Sequence, residues 1–191
     1  MNVLNVLIEG NIIMSVYMPM STTGRHSRIL MTISSAVIEF LRKKEAYAVQ
    51  EECALVHWGY KGKSDFKELV NISDIEDIDS FTEMTINELD YVQPDFVLFK
   101  NNPYVHNDNE TKIAGRPDLI VEVWSKGNTK AEREFKLDLY SGSEITEHWY
   151  IEQDLNEVSC YFGQKRIDNQ SLTDILATRD GLKFDLRYLA I

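Results

Sequence analysis

The sequence predicts an α/β (α+β) fold, and three features carry that expectation. First, residues 117–151 read strand, turn, helix, strand: Leu119–Trp124 is apolar on both alternating faces, as a strand covered on both sides should be. Second, residues 3–8 and 12–17 are β-branched and apolar on either side of Glu9-Gly10-Asn11, which predicts an added N-terminal hairpin. Third, Ile29, Leu30, Ile33, Val37, Phe40 and Leu41 recur at helical spacing between residues 25 and 44, giving a helix one covered face.

Between these landmarks the chain is less regular. Residues 47–58 read as a strand interrupted by Glu51 and Glu52, and residues 59–90 are polar, with a candidate strand at 66–72 and an acidic run through Asp74, Glu76, Asp77 and Asp79. That run is expected to be a solvated loop, because it lacks the Gly and terminal Glu of a calcium loop. Residues 92–99 form a short apolar strand opened by Asp95. Asn, Pro and His residues mark 99–117 as a loop. Asn128 or Thr129 can cap the helix that follows, which places Lys136 and Tyr140 on one face, with Glu132 a turn earlier on the same side. Residues 147–153 and 157–162 then form a hairpin about Asp154-Leu155-Asn156, and the remainder reads as a short amphipathic tail piece.

A length of 191 residues suits one domain spanning 1–191, since domains typically run ~100 to 200 residues. With 43% hydrophobic and 27% charged residues, the composition is ordinary for a soluble globular protein and excludes a wholly disordered one. Cys53 and Cys160 stand far apart with no C-x-x-C partner, so neither a disulfide framework nor a zinc knuckle is expected, and a reducing cytoplasm fits. The apolar N-terminus carries Glu9 and no early basic region, so no signal or membrane span is expected. A net charge of −11 opposes unaided binding to a polyphosphate, which draws on Lys and Arg neutralising phosphates. Charge is local, however, and Arg25, Arg28, Lys112, Arg116, Lys126, Lys130, Arg133 and Lys136 gather elsewhere than the acidic run.

The chemistry concentrates on two acids. Glu122 lies inside the apolar run Leu119–Trp124, sharing a face with Asp118, Ile120 and Trp124. An unpaired buried charge loses more hydration than packing returns, so something must hold it there. Asp95 opens the other apolar strand. If the two strands are neighbours, about 4.8 Å apart, both carboxylates can converge at one end of the sheet and share a divalent cation.

In order, Pro94-Asp95, Glu122-Val123-Trp124-Ser125, Lys136-Leu137-Asp138-Leu139-Tyr140 and Glu147-His148-Trp149-Tyr150-Ile151 resemble the Uma-two family of putative restriction endonucleases, within the PD-(D/E)XK nuclease superfamily. The resemblance is close over residues 90–161 and looser over the hairpin and His26. It implies a restriction endonuclease-like mixed β-sheet flanked by helices, and metal-dependent hydrolysis of phosphodiester bonds in nucleic acid, with DNA the expected substrate. By motif position, Asp95 and Glu122 are the expected catalytic and metal-binding acids, with Mg²⁺ or Mn²⁺ as cofactor. The superfamily places its lysine two residues after the second acid, where this chain has Trp124, whereas the Uma-two pattern draws it from the next helix, at Lys136. Lys136 is therefore the third expected catalytic residue. Two departures stand: Glu132 replaces an aspartate, and Val6 and Glu9 break the E-x-x-D-G run usual in the hairpin, so no catalytic role is assigned there. A homodimer is the expected assembly, no membrane is involved, and a nuclease-fold binding or assembly module without turnover is the alternative function.

Plainer roles compete with these. Asp95 could be a strand-end turn acid, Glu122 a buried acid paired with a basic neighbour, and Lys136 an exposed helical lysine paired with Glu132. His26 is read as a helix-start hydrogen-bonding residue, Glu39 as a solvated charge near Arg42 and Lys43, His148 and Trp124 as core, and Tyr140 as a support for the helix and for Lys136.

Overall fold

In the computed structural model, residues 2–8, 11–18, 24–43, 46–50, 54–56, 91–101, 104–106, 112–115, 117–142 and 146–190 are described. In chain order they form β1 (Asn2–Ile8), β2 (Asn11–Met18), α1 (Gly24–Arg42), β3 (Tyr47–Gln50), β4 (Ala54–Val56), β5 (Tyr91–Val92), β6 (Phe96–Phe99), β7 (Tyr104–His106) and β8 (Lys112–Gly115). Then follow β9 (Leu119–Trp124), α2 (Lys130–Ser141), β10 (Glu147–Glu152), β11 (Glu157–Phe162), β12 (Lys165–Ser171), β13 (Ile175–Ala177), β14 (Lys183–Asp185) and a 3₁₀ turn, Arg187–Leu189. The expected N-terminal hairpin is present as β1 and β2. The candidate strand at 66–72, the acidic 73–90 stretch and Cys53 lie outside the described residues, as does the side chain of Glu39.

β9 is buried along all six of its residues, and the sheet explains why. It lies inside a six-stranded sheet of order β12-β11-β10-β9-β6-β3. β10 runs parallel to it on one side, joined through α2, and β6 runs antiparallel on the other, so the sheet is mixed as expected. Because side chains alternate across a strand, the two faces differ. Leu119, Val121 and Val123 join Trp149, Ile151, Val158, Cys160, Phe96 and Leu98 in an apolar core that packs against Ile29, Leu30, Ile33, Val37 and Leu41 of α1. Each such aliphatic side chain, fully buried, contributes about 1.5–3 kcal/mol. Ile120, Glu122 and Trp124 face the other way, toward α2, beside His148 and Tyr150 of β10.

α2 begins at Thr129, whose hydroxyl accepts the Glu132 backbone N–H at 3.2 Å. Asn128 donates to the Glu132 carboxylate at 3.2 Å and accepts the Ser125 N–H at 2.9 Å, which ties the turn to the helix start. At the other end the Gly142 N–H closes the last turn on Leu139 O. Arg133 fastens this helix to the strand ends: its guanidinium donates to Ser125 O at 2.6 Å, pairs with Glu152 and lies over the Trp124 ring.

Four expectations are corrected. The strand expected over 47–58 is two, with β3 in the main sheet and β4 in a second sheet of order β5-β4-β8-β7. The strand at 92–99 divides likewise, β5 joining the second sheet and β6 the first; Pro94, which has no N–H to offer a ladder, sits between them. The loop expected over 99–117 contains β7 and β8, which pair with each other, while β8 runs parallel to β4. The C-terminal segment is not a tail. β12 extends the main sheet, β13 and β14 form a hairpin, and Leu172, Leu176, Phe184 and Leu186 are fully buried in the core, Phe184 edge-on to Trp149 at 5.5 Å.

Phe184→Ala should therefore lose about 3–5 kcal/mol of unfolding free energy in urea, as expected for a large aromatic removed from a core. A loss below about 1 kcal/mol would mean that the C-terminal hairpin is peripheral.

Candidate active site

The antiparallel register of β6 and β9 pairs Phe96 with Val121, Val97 with Ile120 and Leu98 with Leu119. One step further sets Asp95 opposite Glu122, on the face toward α2. The Val123 N–H donates to Asp95 Oδ2 at 2.6 Å, which confirms that the two chain segments meet there. Asp95 stands where the chain, freed by Pro94 from the second sheet, enters β6.

Glu122 is 1% exposed, and both of its oxygens are engaged by α2. Lys136 Nζ donates to Oε2 at 2.7 Å and also reaches Gln93 O at 3.2 Å; Tyr140 Oη donates to Oε1 at 2.6 Å. The spacing of the two residues on the helix aims both at one carboxylate. Tyr140 thus acts on the acid directly, where the sequence suggested a support for Lys136. Lys136 pairs with Glu122 in preference to Glu132, which is used at the helix cap.

Burial, and after it the charge of Asp95, push Glu122 up from the ordinary 4.5 to about 7, against the opposing pull of Lys136 and Tyr140. Lys136 is shifted upward too: burial would lower it, but the charge and hydrogen bond of Glu122 prevail. The partners differ because they share one attraction with unequal desolvation, the lysine side chain being 17% exposed and the glutamate 2%. Tyr140 is held well above its usual range by burial and then by Glu122, so its phenol stays protonated and is the donor.

His26, near the start of α1, brings Nε2 to 3.3 Å from Asp95 Oδ2. On the side of Glu122 away from Asp95, Tyr150 is its cross-strand partner on β10, and the Tyr150 ring lies 4.4 Å, centroid to centroid, from that of Trp124. His148 is fully buried, its ring between Tyr150 Oη and Gly163 O at 2.8 Å each. Because a carbonyl only accepts, Nε2 carries the proton and Nδ1 accepts from the tyrosine; burial pushes this histidine down to about 4. His148 is therefore a neutral piece of the sheet, as expected from its position. Of the basic residues singled out in the sequence, Arg133 is spent on Glu152 and Ser125, while Lys126 and Lys130 remain exposed at the start of α2.

Two carboxylates and an adjoining ammonium are a hard, oxygen-rich set. Among the described residues no group of three or more His, Cys, Asp or Glu is arranged to hold a metal ion. Asp95 and Glu122 together could offer a cation such as Mg²⁺ the one or two carboxylates it takes while it keeps several waters. A cleft lined by Lys100, Asp118, Glu147, Arg179 and Asp180 lies at the opposite end of β9 and β10, and its charges are engaged locally: Lys100 with Asp180, and Glu147 with the Arg179 N–H.

The shift of Glu122 sets a pH dependence. Between the unfolded value of 4.5 and the folded value of about 7, the folded chain keeps a proton that the unfolded chain has released, so stability from this group is full below 4.5 and is lost as pH rises to 7. The difference amounts to on the order of 3 kcal/mol. In metal-free buffer, the unfolding free energy of Glu122→Gln minus that of the unsubstituted chain should rise by about this amount from pH 4.5 to 8. A flat difference would show that Glu122 titrates as an ordinary carboxylate.

Comparison with known proteins bears on this geometry. The pattern of the family Uma2, described as "Putative restriction endonuclease", matches residues 70–190, well over half of the chain. The crystal structure of a putative nuclease belonging to DUF820 from Anabaena variabilis ATCC 29413 superposes with a TM-score of 0.57 at 16% identity, covering 96% of this chain and 89% of that one. At that identity it is the fold that is shared, and it is the restriction endonuclease-like fold expected from the sequence. No curated protein matches. With the family pattern covering both the β9–α2–β10 unit and Asp95, the chain belongs to the Uma2 family of putative restriction endonucleases.

Proposed function

We propose that the chain is a metal-dependent nuclease, hydrolysing phosphodiester bonds of DNA at Asp95, Glu122 and Lys136 with Mg²⁺ or Mn²⁺ as cofactor. The observation that supports this best is the meeting of two carboxylates from neighbouring strands with an ammonium 2.7 Å from one of them. Family membership supplies the reaction class, and the acids supply its chemistry. Asp95 and Glu122 would hold the cation through carboxylate oxygens. Such a cation, when bound, polarises a phosphate and lowers the pKa of a bound water.

The remaining steps belong to the protein. Tyr140 fixes Glu122 through Oε1, so the carboxylate is held in one orientation before substrate arrives. Lys136, anchored by Gln93 O and Glu122, keeps a positive charge where negative charge would develop on the phosphate oxygens. The buried rings of Trp124 and Tyr150 lie beside Glu122 and keep water from that side, which strengthens these interactions. Lys126 and Lys130 stand exposed nearby to meet backbone phosphates.

A second reading, a binding or assembly module that keeps the fold without turnover, draws on the net charge of −11 and on Trp124 standing two residues after Glu122, where the superfamily pattern has its lysine. Incubation with single- and double-stranded DNA and RNA in Mg²⁺ or Mn²⁺ separates the two. Cleavage is expected with the unsubstituted chain and should fall by about 10²–10³-fold or more in Asp95→Ala, Glu122→Ala and Lys136→Ala. Mn²⁺ should raise the melting temperature of the unsubstituted chain and of Lys136→Ala, but not of either acid variant. Cleavage unchanged in both acid variants would overturn the assignment; a stable oligomer with no metal response and no cleavage would favour the second reading.

A further inference from the structure

α1 crosses the face of the sheet opposite the site, and its buried apolar side chains, from Ile29 to Leu41, serve the core. His26 is engaged elsewhere. It is 7% exposed, and its Nε2 lies 3.3 Å from Asp95 Oδ2. The same oxygen accepts the Val123 N–H at 2.6 Å. Since a carboxylate oxygen accepts and does not donate, that contact calls for a proton on Nε2. One oxygen is thus gripped from two directions, by the backbone of the strand that carries Glu122 and by an imidazole from another layer.

That grip matters because Asp95 is otherwise poorly held. Its side chain is 21% exposed, it stands outside the β6 ladder, and its neighbour across the sheet is a like charge. Repulsion between the acids favours a rotamer turned away from Glu122, and a short carboxylate at a strand end has room to adopt one. We infer that His26 is a positioning residue: with the Val123 N–H it pins Asp95 Oδ2, so that Oδ1 is the oxygen offered to a cation shared with Glu122. This rests on the metal-site reading above. Partners of this kind, which orient a ligand without touching the metal, are typically worth 10–100-fold in metal affinity.

Calorimetric titration with Mn²⁺ tests the inference without reference to turnover. His26→Ala should weaken Mn²⁺ binding about 10-fold or more, whereas His26→Gln, whose amide N–H can reach where Nε2 does, should stay within about threefold of the unsubstituted chain. Should the alanine variant not fold, the glutamine variant alone carries the test, and near-normal affinity is required of it. Equal affinity in His26→Ala would overturn the inference. So would a glutamine variant as weak as the alanine one, because the ring itself would then be the metal ligand or a packing piece. Absence of saturable Mn²⁺ binding by the unsubstituted chain would instead remove the metal-site reading, and the inference with it.

Discussion

The burial of one carboxylate, Glu122, is the constraint on which the arrangement turns. β9 is covered on both faces, so every residue in it must be apolar or fully partnered. Five of its six residues meet the first condition. Glu122 meets the second only by recruiting Lys136 and Tyr140 from one helix, and the recruitment is incomplete: burial and Asp95 together outweigh both donors and leave the acid near pKa 7. Replacing such a group by an apolar residue of similar volume is often neutral or stabilising.

Several features elsewhere keep that costly group in register. The crossover from β9 to β10 carries α2 over the polar face, and Thr129, Asn128 and Arg133 fix where the helix begins relative to the ends of the two strands. Lys136 and Tyr140 therefore arrive at both oxygens without freedom to slide. On the opposite face the apolar residues of α1, β9, β10 and the C-terminal hairpin make the rigid backing. The period of two along β9 divides these duties residue by residue, and a one-residue slip would exchange the core for the site.

Much of this was legible in the sequence because its signals are local. An acid isolated in an apolar run marked Glu122, an acid opening an apolar run marked Asp95, and helical spacing marked α1 and α2. What escaped depends on distant pairing. β7 and β8 are short and set among polar residues, and β8 acquires a parallel neighbour only through β4, more than fifty residues earlier. β12, at the edge of the sheet, has the charged and amide side chains of an edge strand and none of the alternation of a covered one. The core role of Leu172, Leu176 and Phe184 follows from packing under Trp149, which no local pattern announces. Tyr140 could have been recognised as a partner of Glu122 from its place one turn beyond Lys136; for His26 no such spacing exists, because its contact joins α1 to the residue just before β6.

The acidic balance bears directly on how a nucleic acid would be held. A net charge of −11 would be harmless if the basic residues formed a free stripe, yet several are committed internally: Arg133 to Glu152, Lys100 to Asp180, Arg187 to Asp185 and Lys136 to Glu122. Lys130 is exposed but lies 3.5 Å from Glu134, a surface pair of little strength that a phosphate could displace. Among the described residues the other exposed cations, including Arg28, Arg42, Lys165, Arg166 and Lys183, are spread over α1, β12 and β14, and Lys126 and Lys130 are the ones at the start of α2. On the proposed reading, affinity then depends less on counterion release over a long footprint than on the cation that Asp95 and Glu122 would share, since it alone adds two positive charges where the scissile phosphate must lie. The acids that make the surface unfavourable to nucleic acid and the acids that would make it reactive are of the same chemical kind, and burial of Glu122 beside Lys136 is what sets the second group apart.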